Sequence, residues 1–125
     1  MTNPVMLILR YLQKKKKMDI GAALIRLKPN QLQQVDDWQQ QLKQRQHEVL
    51  AALKAQGVRV ESWFSLQLED QDYLLAYMRA EDIHQAQQIS KTNPHAIDQF
   101  HQKFKHSWEA VYPAQLLIDF ELSDE

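Results

Sequence analysis

The chain contains no cysteine, which excludes disulfides, thiolate nucleophiles and Cys-ligated zinc or iron–sulfur sites together. That absence fits a reducing cytoplasm. Glycine is almost missing too. Gly21 and Gly57 are the two in the chain, so no loop can wrap phosphates in backbone N–H groups as a P-loop or Rossmann turn does. Charge of one sign is also lacking: 15 Lys and Arg against 16 Asp and Glu leave a net charge of -1, no footprint for a nucleic acid duplex or an anionic membrane. No apolar run approaches the ~20 residues of a membrane span. A length of 125 residues suffices for one domain with a real core and is too short for two.

Val5 to Leu12 is an apolar run interrupted by Arg10 and followed by Lys14 to Lys17. A secretory signal carries its positive charge before the apolar run, so this order does not fit one. Two readings stay open. The segment is a short helix lying on a membrane surface, or Met18 is the biological start and the lysines are a translated ribosome-binding region. Residues 1–17 are therefore set apart as an extension, and residues 18–125 are read as a single domain.

From Asp19 to Leu27 apolar residues occupy both faces of an alternating pattern, which predicts a central strand. After Pro29-Asn30, Val35, Trp38, Leu42, Val49 and Leu53 fall on one stripe and predict a long helix ended by Gly57. Val58 to Glu69 alternates again, and a polar turn at Asp70-Gln71 leads into a strand from Tyr73 to Met78. That turn sets Leu68 opposite Tyr73, Leu66 opposite Leu75 and Phe64 opposite Tyr77, on the face expected to lie under the helices. Trp63, Leu74, Ala76 and Met78 then fall on the second face, too apolar to leave wet. Helices are expected over Glu81 to Ser90 and Asn93 to Val111, broken by Pro113. A last strand, Ala114 to Leu122, would point Leu116, Ile118 and Phe120 inward. The order βαββαβ is that of a ferredoxin-like α+β domain, a four-stranded antiparallel sheet with helices on one face.

Four short segments carry a family likeness: Arg26-Leu27-Lys28-Pro29 after the first strand, Val60-Glu61-Ser62, Asp72-Tyr73-Leu74, and His95, Ile97-Asp98, His101 and Trp108. On these residues the chain resembles the dimeric α+β barrel superfamily, and within it an uncharacterised bacterial domain family of unknown function. The likeness covers Met18 to about Leu122 and implies a homodimer packed through its sheets. It brings no established activity. The superfamily holds haem-degrading monooxygenases, quinol-forming oxygenases, sugar mutarotases and stress-response proteins, so fold alone does not select a reaction.

The stretch from Asn93 to His101 places two histidines and a carboxylate near one helix start, with Asn93 as N-cap and Pro94 at the first position. His95, Asp98 and His101 are the candidate catalytic residues, Asp98 lying three residues from each histidine. Helical metal pairs are three or four apart, whereas these histidines are six apart, separated by ~9 Å of rise. No metal site is assigned, because a third ligand would have to come from Glu48 or Glu61. Arg45 interrupts the apolar stripe and needs a partner or a ligand. Arg45, Glu48, Tyr73 and Tyr77 are the candidate ligand-binding residues. Trp63 reads as dimer packing.

The resulting expectation is a cytoplasmic, bacterial homodimer with a small-molecule pocket between helices and sheet. In it, a histidine oriented by Asp98 would move a proton while Arg45 or Tyr77 holds an anionic oxygen. The competing reading is a non-catalytic interaction or stress-response module in which the polar cluster caps and pairs. Cofactor identity is left unknown, and His84 or His101 as a haem ligand is a subsidiary idea. Nucleic acid is not expected as a partner, since the third strand lacks the RNP series of glycine and aromatics.

Overall fold

A computed structural model describes residues 3–8 and 17–122. Most of the N-terminal run and its lysines falls outside them; residues 4–8 are helical with exposed side chains.

The first strand, β1 (Asp19–Leu27), has the expected bounds. The expected long helix is two: α1 (Leu32–Gln44) and α2 (Gln46–Gln56), with a bend at Arg45, φ −106° and ψ 31°. The bend aims the halves at different parts of the sheet. Trp38 from α1 joins a core of Ile25, Leu27, Leu74 and Phe104, whereas Leu53 from α2 packs on a second core of Val58, Ala80 and Ala86. Gly57 ends α2 at φ 73°, its N–H donating to the carbonyls of Leu53 and Lys54, and this left-handed position is where a residue without Cβ is needed.

Strands β2 (Val58–Leu68) and β3 (Gln71–Ala80) form the hairpin, then α3 (Ile83–Thr92), α4 (Ala96–Phe104), a 3-10 turn (Lys105–Ser107) and β4 (Trp108–Pro113) complete the chain order. Asp82 caps α3 by accepting from the Gln85 N–H at 2.9 Å. The sheet order is β2-β3-β1-β4, every pair antiparallel, which is the ferredoxin-like arrangement with β1 inside the sheet.

Three expectations are corrected. The hairpin pairs Leu68 with Gln71, Leu66 with Tyr73 and Phe64 with Leu75, so the turn is Glu69-Asp70, one residue earlier than expected, and every partner shifts by two. A slip of two keeps every side chain on its face, which is why the hydrophobic pattern cannot detect it. The covered face is also the other one: Trp63, Leu74 and Ala76 pack under the helices with Ile25, while Phe64 is 55% exposed and Leu68 is exposed too. Finally, Phe100, Phe104 and Trp108 repeat at helical spacing, yet α4 stops at Phe104 and Trp108 opens β4, whose Leu27-to-Ala23 pairing with β1 satisfies the edge that a continued helix would leave bare. Pro113 closes this edge strand, a place where its missing N–H does no harm.

Residues 114–122 run on without regular structure. The Ala114 N–H donates to the Ala22 carbonyl, and Arg79 pairs with Asp119 and Glu121 at 3.1 and 3.6 Å. Between those ties Leu117 and Phe120 are 88% and 86% exposed, so the inward-facing strand expected here is absent.

Glu69 and Asp70 both have positive φ, 49° and 63°, as a two-residue type I′ turn requires. Neither residue type favours that region as Asn and Gly do. Replacing the pair by Asn-Gly is expected to stabilise the fold by roughly 1 kcal/mol. A raised urea midpoint with unchanged slope is the readout; a lower midpoint would show that the turn lies elsewhere.

Candidate ligand cavity

Between the two cores the helices and the sheet do not meet, leaving a cavity of about 410 Å³. Its floor is β1 and β3 at Gly21, Ala23 and Ala76, where the side chains are too small to fill the space beneath α2 and α3. A Cβ on Gly21 would come within 2.8 Å of Ile83 Cδ1, so a larger residue there would have to displace the flexible end of the Ile83 side chain. Leu42, Val49 and Leu53 form one wall, Ile83 and Ala86 another, and Trp63 and Trp108 close an end. Among the described residues, no helix is long and apolar enough to cross a membrane.

Polar side chains around this space come from several elements, among them Gln87 and Ser90 of α3 and Tyr77 of β3. α4 contributes Asp98 and His101, the turn after it Lys105, β2 Glu61, and the end of α2 Gln56. Asp98 is 3% exposed; its Oδ1 accepts from Gln56 Nε2 at 2.8 Å, while its Oδ2 is buried with no partner among the described residues. Glu61 accepts from Trp63 Nε1 at 2.7 Å. His101 sits amid indoles, with ring centroids 5.6 Å from Trp63, 6.1 Å from Trp38 and 6.4 Å from Trp108. Lys105 Nζ lies 5.5 Å from the Trp108 ring centroid.

Burial dominates the electrostatics. It pushes the carboxyls of Glu61 and Asp98 above their ordinary range, opposed in Glu61 by the Trp63 indole and Lys105, and in Asp98 by the Gln56 amide and His95. Burial also lowers the His101 pKa to about 4, with the Lys105 charge adding to the effect, so the imidazole is neutral at pH 7. The Lys105 ammonium is pushed down by burial and by Lys91, and held up by Glu61.

Of the candidate residues from the sequence, the structure brings three to the cavity, His101, Asp98 and Tyr77. His95 is the exposed residue before α4, where its N–H donates to Asn93 Oδ1 at 3.1 Å; Asn93 ends α3 and does not cap α4. Arg45 and Glu48 satisfy each other at 2.6 and 3.1 Å and do not line the cavity. The bend at Arg45 explains this, because it turns that side chain toward Phe100, 5.8 Å from its ring centroid, and the stripe's gap needs no ligand. Tyr73 and Tyr77 project from the helix-free face, since they alternate with Leu74, Ala76 and Met78. Tyr77 borders the cavity from the plane of the sheet, while its hydroxyl accepts from Arg79 Nε on the other side. Trp63 belongs to the cavity and not to a dimer face.

Sequence reasoning missed Lys105 and Gln56, and weighed Glu61 solely as a metal ligand. The alternation of Glu61 with Trp63 in β2 was the usable signal, once the covered face is known. Among the described residues no group of three or more His, Asp or Glu could hold a metal ion.

A protein-family model, described as a family of unknown function (DUF6176), matches residues 18–122. No curated protein matches the chain. Among solved structures the chain is similar to a protein from an uncultured marine organism described as a dimeric ferredoxin-like protein, with 11% identity and a TM-score of 0.58 over 86% of this chain and 94% of that one. At that identity the likeness is one of fold.

Proposed function

The chain belongs to DUF6176, a family whose function is unknown, and from its cavity we propose that it is a homodimer that binds a small organic molecule between helices and sheet. The observation that carries this reading is the buried Asp98 carboxylate, whose Oδ2 has no partner beside about 410 Å³ of space. A buried charged acceptor left unsatisfied costs at least ~1–3 kcal/mol, and a ligand donor removes that cost. The volume is at the small end of the roughly 300–1,000 Å³ typical of small-molecule sites.

Acid–base chemistry is the finer form of the proposal, with His101 taking a proton and Asp98, one turn earlier on α4, holding the ligand. A base with a pKa of about 4 is weakly driven at neutral pH, since proton transfer is most efficient when pKa and operating pH are close. Binding therefore comes first in this reading.

Support for the homodimer comes from the helix-free sheet face and the tail. Phe64, Leu68 and Tyr112 lie exposed on that face, and Leu117, Ile118, Phe120 and Leu122 are exposed on the tail. Such a surface is large for a monomer, and a two-fold axis lets one chain supply both halves of the contact. The structurally similar protein is described as dimeric.

Native mass spectrometry of the full chain from its host tests both parts at once. The expected spectrum is twice the chain mass plus a retained small molecule, which the floor-filling Ala23→Leu variant loses while staying folded and dimeric. A monomer would sink the assembly. Equal retention by the variant would sink the cavity as the site.

A further inference from the structure

The ionisable groups around the cavity do not balance. Glu61 and Asp98 are carboxylates, and among the described residues lining the space Lys105 is the one cationic side chain, His101 being neutral. Lys105 rests over Trp108, and no salt bridge among the described residues joins it to either carboxylate. Gln56 supplies Asp98 with a neutral donor to one oxygen, and the Trp63 indole does the same for Glu61. One negative charge is thus left over in a largely apolar space. An uncompensated buried charge is among the most destabilising arrangements a protein can hold. The raised carboxyls of both residues agree with a site that lacks its counter-charge.

The remaining walls fix the rest of the ligand. Leu42, Val49 and Met78 offer apolar contact, and Trp63 and Trp108 offer ring surface, which suits both an apolar body and a cation near an indole face. We propose that the cavity takes a compact monocationic amine, its ammonium against Asp98 and Glu61 and its apolar or aromatic body against Trp63 and Trp108. This rests on the cavity being a ligand site. An alcohol would satisfy the orphaned oxygen and leave the charge, whereas a carboxylic acid would add to it and depend on Lys105 alone.

Three probes of one shape separate these cases: 2-phenylethylamine, 2-phenylethanol and 3-phenylpropanoate, titrated into the full chain at pH 7.5 with calorimetry and indole fluorescence as readouts. The amine is expected to bind at least about tenfold tighter than the alcohol, a difference of about 1.4 kcal/mol, and the carboxylate weakest. Asp98→Asn keeps the shape and the Gln56 contact, and it should erase the preference for the amine. Glu61→Gln, a milder change at a less buried position, should reduce it. Equal binding of amine and alcohol would overturn the charge assignment and leave the cavity standing. Tightest binding of the carboxylate, or an undiminished amine preference in both variants, would overturn it as well. If none of the three binds, and the chain retains nothing from its host, the cavity reading and this inference fall together.

Discussion

Trp38→Ala is expected to lower the stability of the fold by about 3–5 kcal/mol. Trp38 is 5% exposed, its ring stacked on Phe104 at 4.3 Å and edge-on to Trp63 at 5.2 Å. It therefore ties α1 to α4 and to β2 in one contact. Truncation removes that bulk from beneath α1 and joins the void to an existing cavity, so collapse of the surroundings recovers little. Native stabilities of about 5–15 kcal/mol make this a large share of the total. A control sharpens the expectation, because the Trp38 indole N–H is itself buried without a partner among the described residues. Trp38→Phe removes that orphaned donor while keeping a ring, and should cost far less than the alanine variant. Urea unfolding with an unchanged slope measures both. A loss below about 1 kcal/mol for Trp38→Ala would mean that this aromatic cluster does not organise the core.

The second large effect is acid destabilisation through His101. In the unfolded chain its imidazole takes a proton near its ordinary value of 6.5, and in the folded chain only near 4. Between those values the unfolded state holds the extra proton, so stability falls as pH drops from about 6.5 toward 4 and is unaffected by His101 above that window. The full contribution is about 3 kcal/mol, from 1.36 kcal/mol for each unit of difference. Glu61 and Asp98 act with the opposite sign, because their raised carboxyls let the folded state accept protons before the unfolded one does. His101→Gln isolates the histidine: the parent should lose stability relative to the variant on going from pH 7 to pH 5, and the gap should close above pH 7. The imidazole Cε1–H resonance should remain that of the neutral ring at pH 5.5. An imidazolium signal there would sink the assignment.

The sequence was most legible where one physical signal had no rival. β1 is flanked by apolar residues on both faces, Gly57 occupies a position that needs positive φ, and both were placed correctly. The hairpin strands were visible, but their register was not, because a slip of two preserves the alternation. Which face lies under the helices was undecidable from pattern alone, since Phe64, Leu66 and Leu75 compete on equal terms with Trp63, Leu74 and Ala76. The end of the chain failed for a related reason. Phe100, Phe104 and Trp108 satisfy a helical period up to the point where Trp108 satisfies a strand better, and the deciding factor is the open edge of β1, a tertiary fact. Asp98 and His101, which do line the cavity, stand out in the sequence because two histidines and a carboxylate gather near one helix start. Tyr73, Arg45 and Glu48 lie away from the cavity because of the covered face and an unseen bend, Tyr77 borders it, and Lys105 and Gln56 gave no signal that distinguishes them from solvated surface.

The small floor residues carry a consequence of their own. Ala23 and Ala76 sit inside strands whose backbone ladder holds whatever the side chain, but Ala76 also packs against the core cluster of Ile25, Leu27, Trp38, Leu74 and Phe104, which Ala23 does not join. Ala23 is therefore the floor position at which the space can change with the least disturbance of the core. Stepwise enlargement at Ala23 would shrink the space one methylene at a time, whereas a Cβ at Gly21 would first have to displace the flexible end of the Ile83 side chain. On the proposed reading, a single codon at Ala23 retunes the cavity toward smaller guests.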